Sequence, residues 1–221
     1  MNRREFSLQT LSAAAGAFGL GMAAVSPSQA LAQGGPVEGT HFFKLSQAVP
    51  TSATAGKVEV LEFFWYGCPH CNHFEPYLAA WAAKLPADVA FRRIPVVLHE
   101  NPGAIHARLF YAVEALGLIP ALHAKIFHAI HEEGLKVDSP ESIGEFVAKN
   151  GIDKAKFLAV MESFSVQTKA RQARSLADAY KLDGVPMLGI GGIYTTSVGL
   201  NGTPEKTLAT VDALINKSRK K

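Results

Sequence analysis

Cysteine is nearly missing from this chain: there are two in 221 residues, Cys68 and Cys71. So few exclude a disulfide-stapled scaffold. Their spacing also makes them a poor staple, because closing so short a loop removes little unfolded-state entropy. An excess of one charge is missing too. The formal net charge is +3, with no basic block and no interleaving of aromatic and basic residues, which argues against nucleic acid as a partner. No internal repeat is visible. Long apolar runs are absent beyond the first 32 residues.

The first 32 residues read as a cleaved export signal. Arg3 and Arg4 give the positive start, Leu8 to Val25 is apolar but rich in Ala and Gly, and Ala30-Leu31-Ala32 has the small-x-small form of a cleavage site. Asn2-Arg3-Arg4-Glu5-Phe6 fits a twin-arginine signal as well as an ordinary secretory one, and the choice stays open. A retained anchor is disfavoured by the glycine-broken apolar core. Either route leads outside the cytoplasm, where dithiols can stay oxidised. The chain from Gln33 onward is long enough for one domain with a substantial core.

The periodicities give an α/β order. His41 to Leu45 is an expected edge strand. Lys57 to Trp65 is a near-continuous apolar run, which suggests a strand covered on both faces. Phe74, Leu78, Trp81 and Leu85 recur at helical spacing, with Pro86 as the stop and Pro76 inside. Val89 to Leu98 is a second β-like run. Residues 103–182 then change to helical stripes, with Ser139-Pro140 and Asp153 as helix starts and a further helix over about 166–182. Met187 to Ile190, a Gly191-Gly192 turn and Ile193 to Val198 read as a hairpin, followed by a helix from Thr203-Pro204. The order β-α-β, helices, β-β-α predicts a single sheet interrupted by a helical insertion.

The chemistry sits in Cys68-Pro69-His70-Cys71, at a strand-to-helix junction. The unpaired N–H groups and partial positive charge of a helix N-terminus favour a thiolate, so the Cys68 pKa should fall. Pro69 in the first turn loses no useful donor. His70 can donate to the sulfur and add charge. Cys71, one turn along, can close a disulfide with Cys68 and is expected to be the more buried. Cys68 would then exchange with substrate and Cys71 would resolve the mixed disulfide. A stable Cys68 thiolate stabilises the reduced pair, which makes the disulfide an oxidant. Zinc is the competing reading, since Cys68, His70, Cys71 and His73 are all ligand types. No second cysteine pair completes such a site, so no metal is expected. His99, His106, His123, His128 and His131 read as a solvent-facing polar stripe rather than a metal cluster.

Val60-Leu61-Glu62-Phe63-Phe64, Cys68-Pro69-His70-Cys71 and Gly184-Val185-Pro186 together resemble the DsbA family of periplasmic thiol:disulfide oxidoreductases. The resemblance covers essentially the whole chain after the signal. It implies a thioredoxin fold over 33–102 and 183–221 with an all-helical insertion at 103–182. It implies a cis bond before Pro186, with Val185 offering its backbone to an extended substrate by strand addition. It also implies that Glu62 is a buried acid assisting proton transfer at Cys71. Arg93 stands where the family has a basic partner for that acid, and an arginine would act as a fixed charge. Trp65, Tyr66 and Gly67 are expected at the groove rim. The implied activity is oxidation of cysteine pairs in reduced, unfolded exported polypeptides in the periplasm. A DsbB-like quinone-linked membrane protein would reoxidise the pair. No cofactor and a monomer are expected. An isomerase or reductase on the same fold, and a non-catalytic peptide-binding chaperone, are the alternatives.

Overall fold

The computed structural model describes residues 34–97 and 100–219. The export segment and His99 lie outside the described residues.

The apolar run after Lys57 becomes the central strand. β1 is Phe43–Lys44, β2 Val58–Phe64 and β3 Val89–Pro95; β4 is Met187–Ile190 and β5 Tyr194–Ser197. They form one five-stranded sheet in the order β1-β5-β4-β2-β3. β2 runs parallel to β3, with Glu62 opposite Arg93, and antiparallel to β4. Gly191 and Gly192 turn the hairpin between β4 and β5 at φ 59° and 68°, a region open mainly to glycine. β1 closes the sheet as its edge, antiparallel to β5.

Eight helices are described: α1 Pro69–Ala82, α2 Glu100–Ala115, α3 Ile119–His131, α4 Pro140–Lys149, α5 Lys154–Met161, α6 Phe164–Ala179, α7 Val198–Asn201 and α8 Pro204–Ser218. Three starts are capped where the sequence suggests. Ser139 and Ser142 form a reciprocal capping box, and Asp153 and Thr203 each accept from a backbone N–H three residues on. α6 starts two residues earlier than its apolar pattern suggests, because Ser163 caps it, and it ends at Ala179 rather than 182. α7 begins at Val198, the last residue of the expected strand, and has no separate signal in the sequence pattern. α2 to α6 occupy one uninterrupted stretch of chain between β3 and β4.

Both faces of β2 are buried, which explains its lack of alternation. One face packs with α1 and α8, through Val60, Phe74, Leu78, Leu188, Val211 and Ile215. The other carries Leu61 and Phe63 into a larger core with the helices between β3 and β4. Phe63 meets Tyr180 there, and Phe64 meets Phe110 and Phe127, with ring centroids 5.0–5.9 Å apart.

Candidate active site

Cys68 is the N-cap of α1, and Pro69 occupies its first turn. Cys68 keeps 7% of its surface exposed while Cys71 keeps none. Both are free thiols. The Cys71 thiol, facing Cys68 as a donor, is the largest influence bringing the Cys68 pKa down to about 6. Burial opposes this; the backbone N–H groups of Cys71 and His70 and the charge of His70 support it. The His70 side chain is exposed and makes no described hydrogen bond, so it acts by field and backbone. Burial holds the Cys71 thiol far above the ordinary range, and Cys68 and Glu62 push it the same way.

The Val185–Pro186 peptide bond is cis. The Cys68 sulfur stands 3.5 Å from the Val185 carbonyl oxygen. A cleft of about 450 Å³ opens alongside, lined by His70, Phe74, Val185, Pro186, Met187 and Val198 among others. The chain thus brings together the sequence-selected residues 68–71 with 185 and 186, which lie more than a hundred positions apart.

Glu62 is buried on β2 against the same helix. Burial pushes its pKa up to about 8, Arg93 opposes and Glu75 adds to the rise. Arg93 Nε lies 3.1 Å from Glu62 Oε2, and its Nη2 donates to Glu75 Oε1 at 2.7 Å. Glu75, on α1, gave no sign in the sequence, because it follows Phe74 in what reads as an ordinary amphipathic turn. Burial acts to raise it, but His123 and Arg93 outweigh burial and hold it below the usual carboxylate range.

Two expectations are corrected here. Tyr66 is not at the groove rim: it is fully buried. Its ring packs against Phe64 and Phe127, and its hydroxyl is 2.8 Å from His123 Nδ1. The histidines do not form a solvent-facing stripe either. His106 and His123 are each 3% exposed, and His131 reaches the Tyr66 carbonyl at 2.8 Å. His106 meets the Val137 carbonyl at 3.0 Å. Among the described members of that set, only His128 behaves as expected, exposed beside Glu133. α3 buries two adjacent stripes because it packs on both the active-site loop and its helical neighbours, so a polar residue beside the apolar stripe is still inside.

A low-pKa thiol at a helix start, a buried partner one turn on and a cis-proline loop across from it are joined by a direct match. The profile of the DSBA-like thioredoxin domain covers residues 59–209. The chain belongs to the DSBA-like thioredoxin domain family. The thiol:disulfide interchange protein DsbA of Azotobacter vinelandii is 44% identical over 181 residues, 82% of this chain and 84% of that protein. The DsbA of Pseudomonas aeruginosa is 40% identical over 82% of this chain and 85% of its own length. The crystal structure of Pseudomonas aeruginosa DsbA superposes with a TM-score of 0.79, at 42% identity, over 82% of this chain and 94% of that one. That of the oxidoreductase DsbA from Xylella fastidiosa gives 0.78 at 31% identity, over 84% and 99%. The DsbA-like thioredoxin fold expected from the motifs is therefore the fold of this chain.

Proposed function

We propose that the protein is a periplasmic dithiol oxidase that introduces disulfides into newly exported polypeptides. Its family makes it a protein thiol:disulfide oxidoreductase. The direction of transfer rests on one observation: Cys68 is held near pH 6 while Cys71 is held far above neutrality. A thiolate that is stable in the reduced pair makes the disulfide easy to reduce.

In the oxidised enzyme, a substrate thiolate attacks Cys68 Sγ. The new S–S bond forms as the Cys68–Cys71 bond breaks, and Cys71 leaves with the electron pair. Glu62, protonated near neutral pH, is the nearby acid that supplies Cys71 with a proton. The second substrate thiolate then attacks the substrate sulfur of the mixed disulfide and releases Cys68 as a thiolate. Two electrons have moved from substrate to enzyme. A DsbB-like quinone-linked membrane protein takes them in turn.

Pro69 keeps the helix start free of a wasted donor, and His70 lends its field to the Cys68 thiolate. The Val185 backbone, with Pro186 holding it toward the sulfur, pairs with an extended substrate by strand addition. Residues 33–102 and 183–221 serve as the thioredoxin part and 103–182 as the inserted part.

The test is the reduction potential against glutathione buffers. A value well above the roughly −270 mV of thioredoxin, toward the roughly −120 mV that belongs to the DsbA naming the family, supports an oxidase. A value near thioredoxin's makes the protein a reductase. A binding protein would keep its activity in Cys68→Ser.

A further inference from the structure

Two carboxylates share one guanidinium beneath the thiols. Arg93 stands 3.1 Å from Glu62 and 2.7 Å from Glu75, and all three are buried or nearly so. One positive charge balances one carboxylate. A second carboxylate in so dry a site keeps its proton, because like charges close together cannot both ionise there. Arg93 cannot surrender its own proton. One proton is therefore shared between two candidate sites.

The two sites are not equivalent. Glu62 has Arg93 as its described ion-pair partner, in a contact whose geometry is not that of a hydrogen bond. Glu75 has a true hydrogen bond from Arg93 and, on its other oxygen, His123 Nε2 at 3.5 Å, a contact that also falls outside hydrogen-bond geometry and that a small shift of the ring would close. The His123 ring is oriented from its far side. Tyr66 places its hydroxyl 2.8 Å from Nδ1, and the Tyr66 backbone is itself held by His131 from the same face of α3. A lone pair at Nε2 would face a carboxylate. The stable arrangement is thus Tyr66 donating to Nδ1, with the N–H of Nε2 turned toward Glu75.

We propose that His123 decides which of the two buried carboxylates carries the proton: by turning its N–H toward Glu75 it keeps Glu75 ionised and stations the proton on Glu62, the carboxyl that acts on Cys71. His123 is a positioning residue in this scheme, since it touches neither sulfur nor substrate. The directions of the carboxyl titrations agree, with Glu62 raised and Glu75 lowered. The groups facing this cluster are Glu62 on β2, Arg93 on β3, Glu75 on α1, Tyr66 in the loop before Cys68 and, across the Tyr66 ring, His106 on α2. The remaining neighbours of His123 are the rings of Phe64, Phe110 and Phe127. Burial lowers His123, so it works as a neutral donor.

The consequence rests on the exchange chemistry proposed above. When the disulfide opens, Cys71 departs as a buried thiolate, and the proton it needs is already on the neighbouring acid. With the proton on Glu75 instead, Cys71 would meet an anion.

The direct test is carbon-13 NMR of the assigned carboxyl groups in the reduced protein, with nitrogen-15 NMR of the His123 ring. The expected result is a neutral Glu62 and an ionised Glu75 near neutral pH, and a ring protonated at Nε2 alone. His123→Phe removes the donor and should move the proton toward Glu75 by roughly ten-fold or more, the scale of a charge-assisted hydrogen bond. His123→Gln, which can donate to Glu75 and accept from Tyr66, should restore the original allocation. An ionised Glu62 in the unmodified protein, a ring protonated at Nδ1, or an allocation unmoved by His123→Phe overturns the proposal. The first two readings need no variant to fold. The rate at which a small thiol opens the disulfide separates the two levels. A moved proton with an unchanged rate overturns the role of Glu62 in exchange, while an unmoved proton overturns the role of His123.

Discussion

The Cys68 sulfur and the Val185 carbonyl oxygen lie 3.5 Å apart across a separation of 117 residues. In the proposed mode, a peptide pairing with the Val185 backbone is brought to Cys68, the partly exposed cysteine of the pair, while Cys71 stays sealed below it. The mixed disulfide should therefore form at Cys68 alone. Cys71→Ser is expected to accumulate covalent adducts with reduced substrate, and Cys68→Ser to accumulate none. Non-reducing electrophoresis followed by mass spectrometry reads this directly; adducts on Cys71 in the Cys68→Ser variant would contradict it.

The Cys68 thiolate should titrate with a midpoint near pH 6, followed by its ultraviolet absorbance. Because the Cys71 thiol is the largest lowering influence, Cys71→Ala should raise that midpoint by roughly one unit or more. The same shift makes the reduced protein more stable than its unfolded chain requires. The folded pKa lies below the ordinary 9.0, so this contribution is complete above pH 9, shrinks as pH falls and is gone below about 6. Near pH 7 it is worth about 1–2 kcal/mol. Chemical denaturation of the reduced form at several pH values checks the slope.

Glu62 works in the opposite sense. Its folded pKa, about 8, lies above the ordinary 4.5, so the folded protein loses stability as pH rises between those values. Glu62→Gln should remove the penalty and raise the free energy of unfolding, little at pH 4.5 and by roughly 1–3 kcal/mol at pH 8. The same variant should slow opening of the disulfide, since the acid beside Cys71 is gone. A stabilisation that does not depend on pH would argue against a protonated carboxyl at this position.

Gly67, between Tyr66 and Cys68, lies under the ring of Trp65, where a Cβ would collide with the ring atoms. Gly67→Ala should displace Trp65 from beside His106 and cost about 1–3 kcal/mol. Loss of Trp fluorescence intensity or a shifted emission maximum, measured with the unfolding curve, reports both effects. An alanine tolerated without either change would mean that the ring has room to move.

The residues proposed to carry the exchange are legible because their chemistry is local. Cys68, Pro69, His70 and Cys71 are contiguous, and a strand-to-helix junction can be read from an apolar run that gives way to helical spacing. The Gly191-Gly192 hairpin was legible for the same reason. The buried network was not. Glu75 sits next to Phe74 on a helix whose far side is wet, and nothing local says which way it turns. His123 and His131 flank the apolar stripe of Leu122, Ile126 and Ile130, and only the packing of α3 on two neighbours puts them inside. Tyr66 resembled a rim residue because it adjoins an exposed motif, yet its ring fills the core behind that motif. Burial of a polar side chain is settled by what a second element brings to it, which periodicity along one element does not encode.

The two halves of the active-site loop differ in how freely they can vary. Pro69 and His70 project into solvent, whereas Trp65, Tyr66 and Gly67 are packed and mutually constrained. Substitutions in the dipeptide can therefore shift the redox poise of the enzyme with little penalty to its scaffold. Oxidising strength can drift, or be engineered, on a background that the upstream tripeptide holds constant.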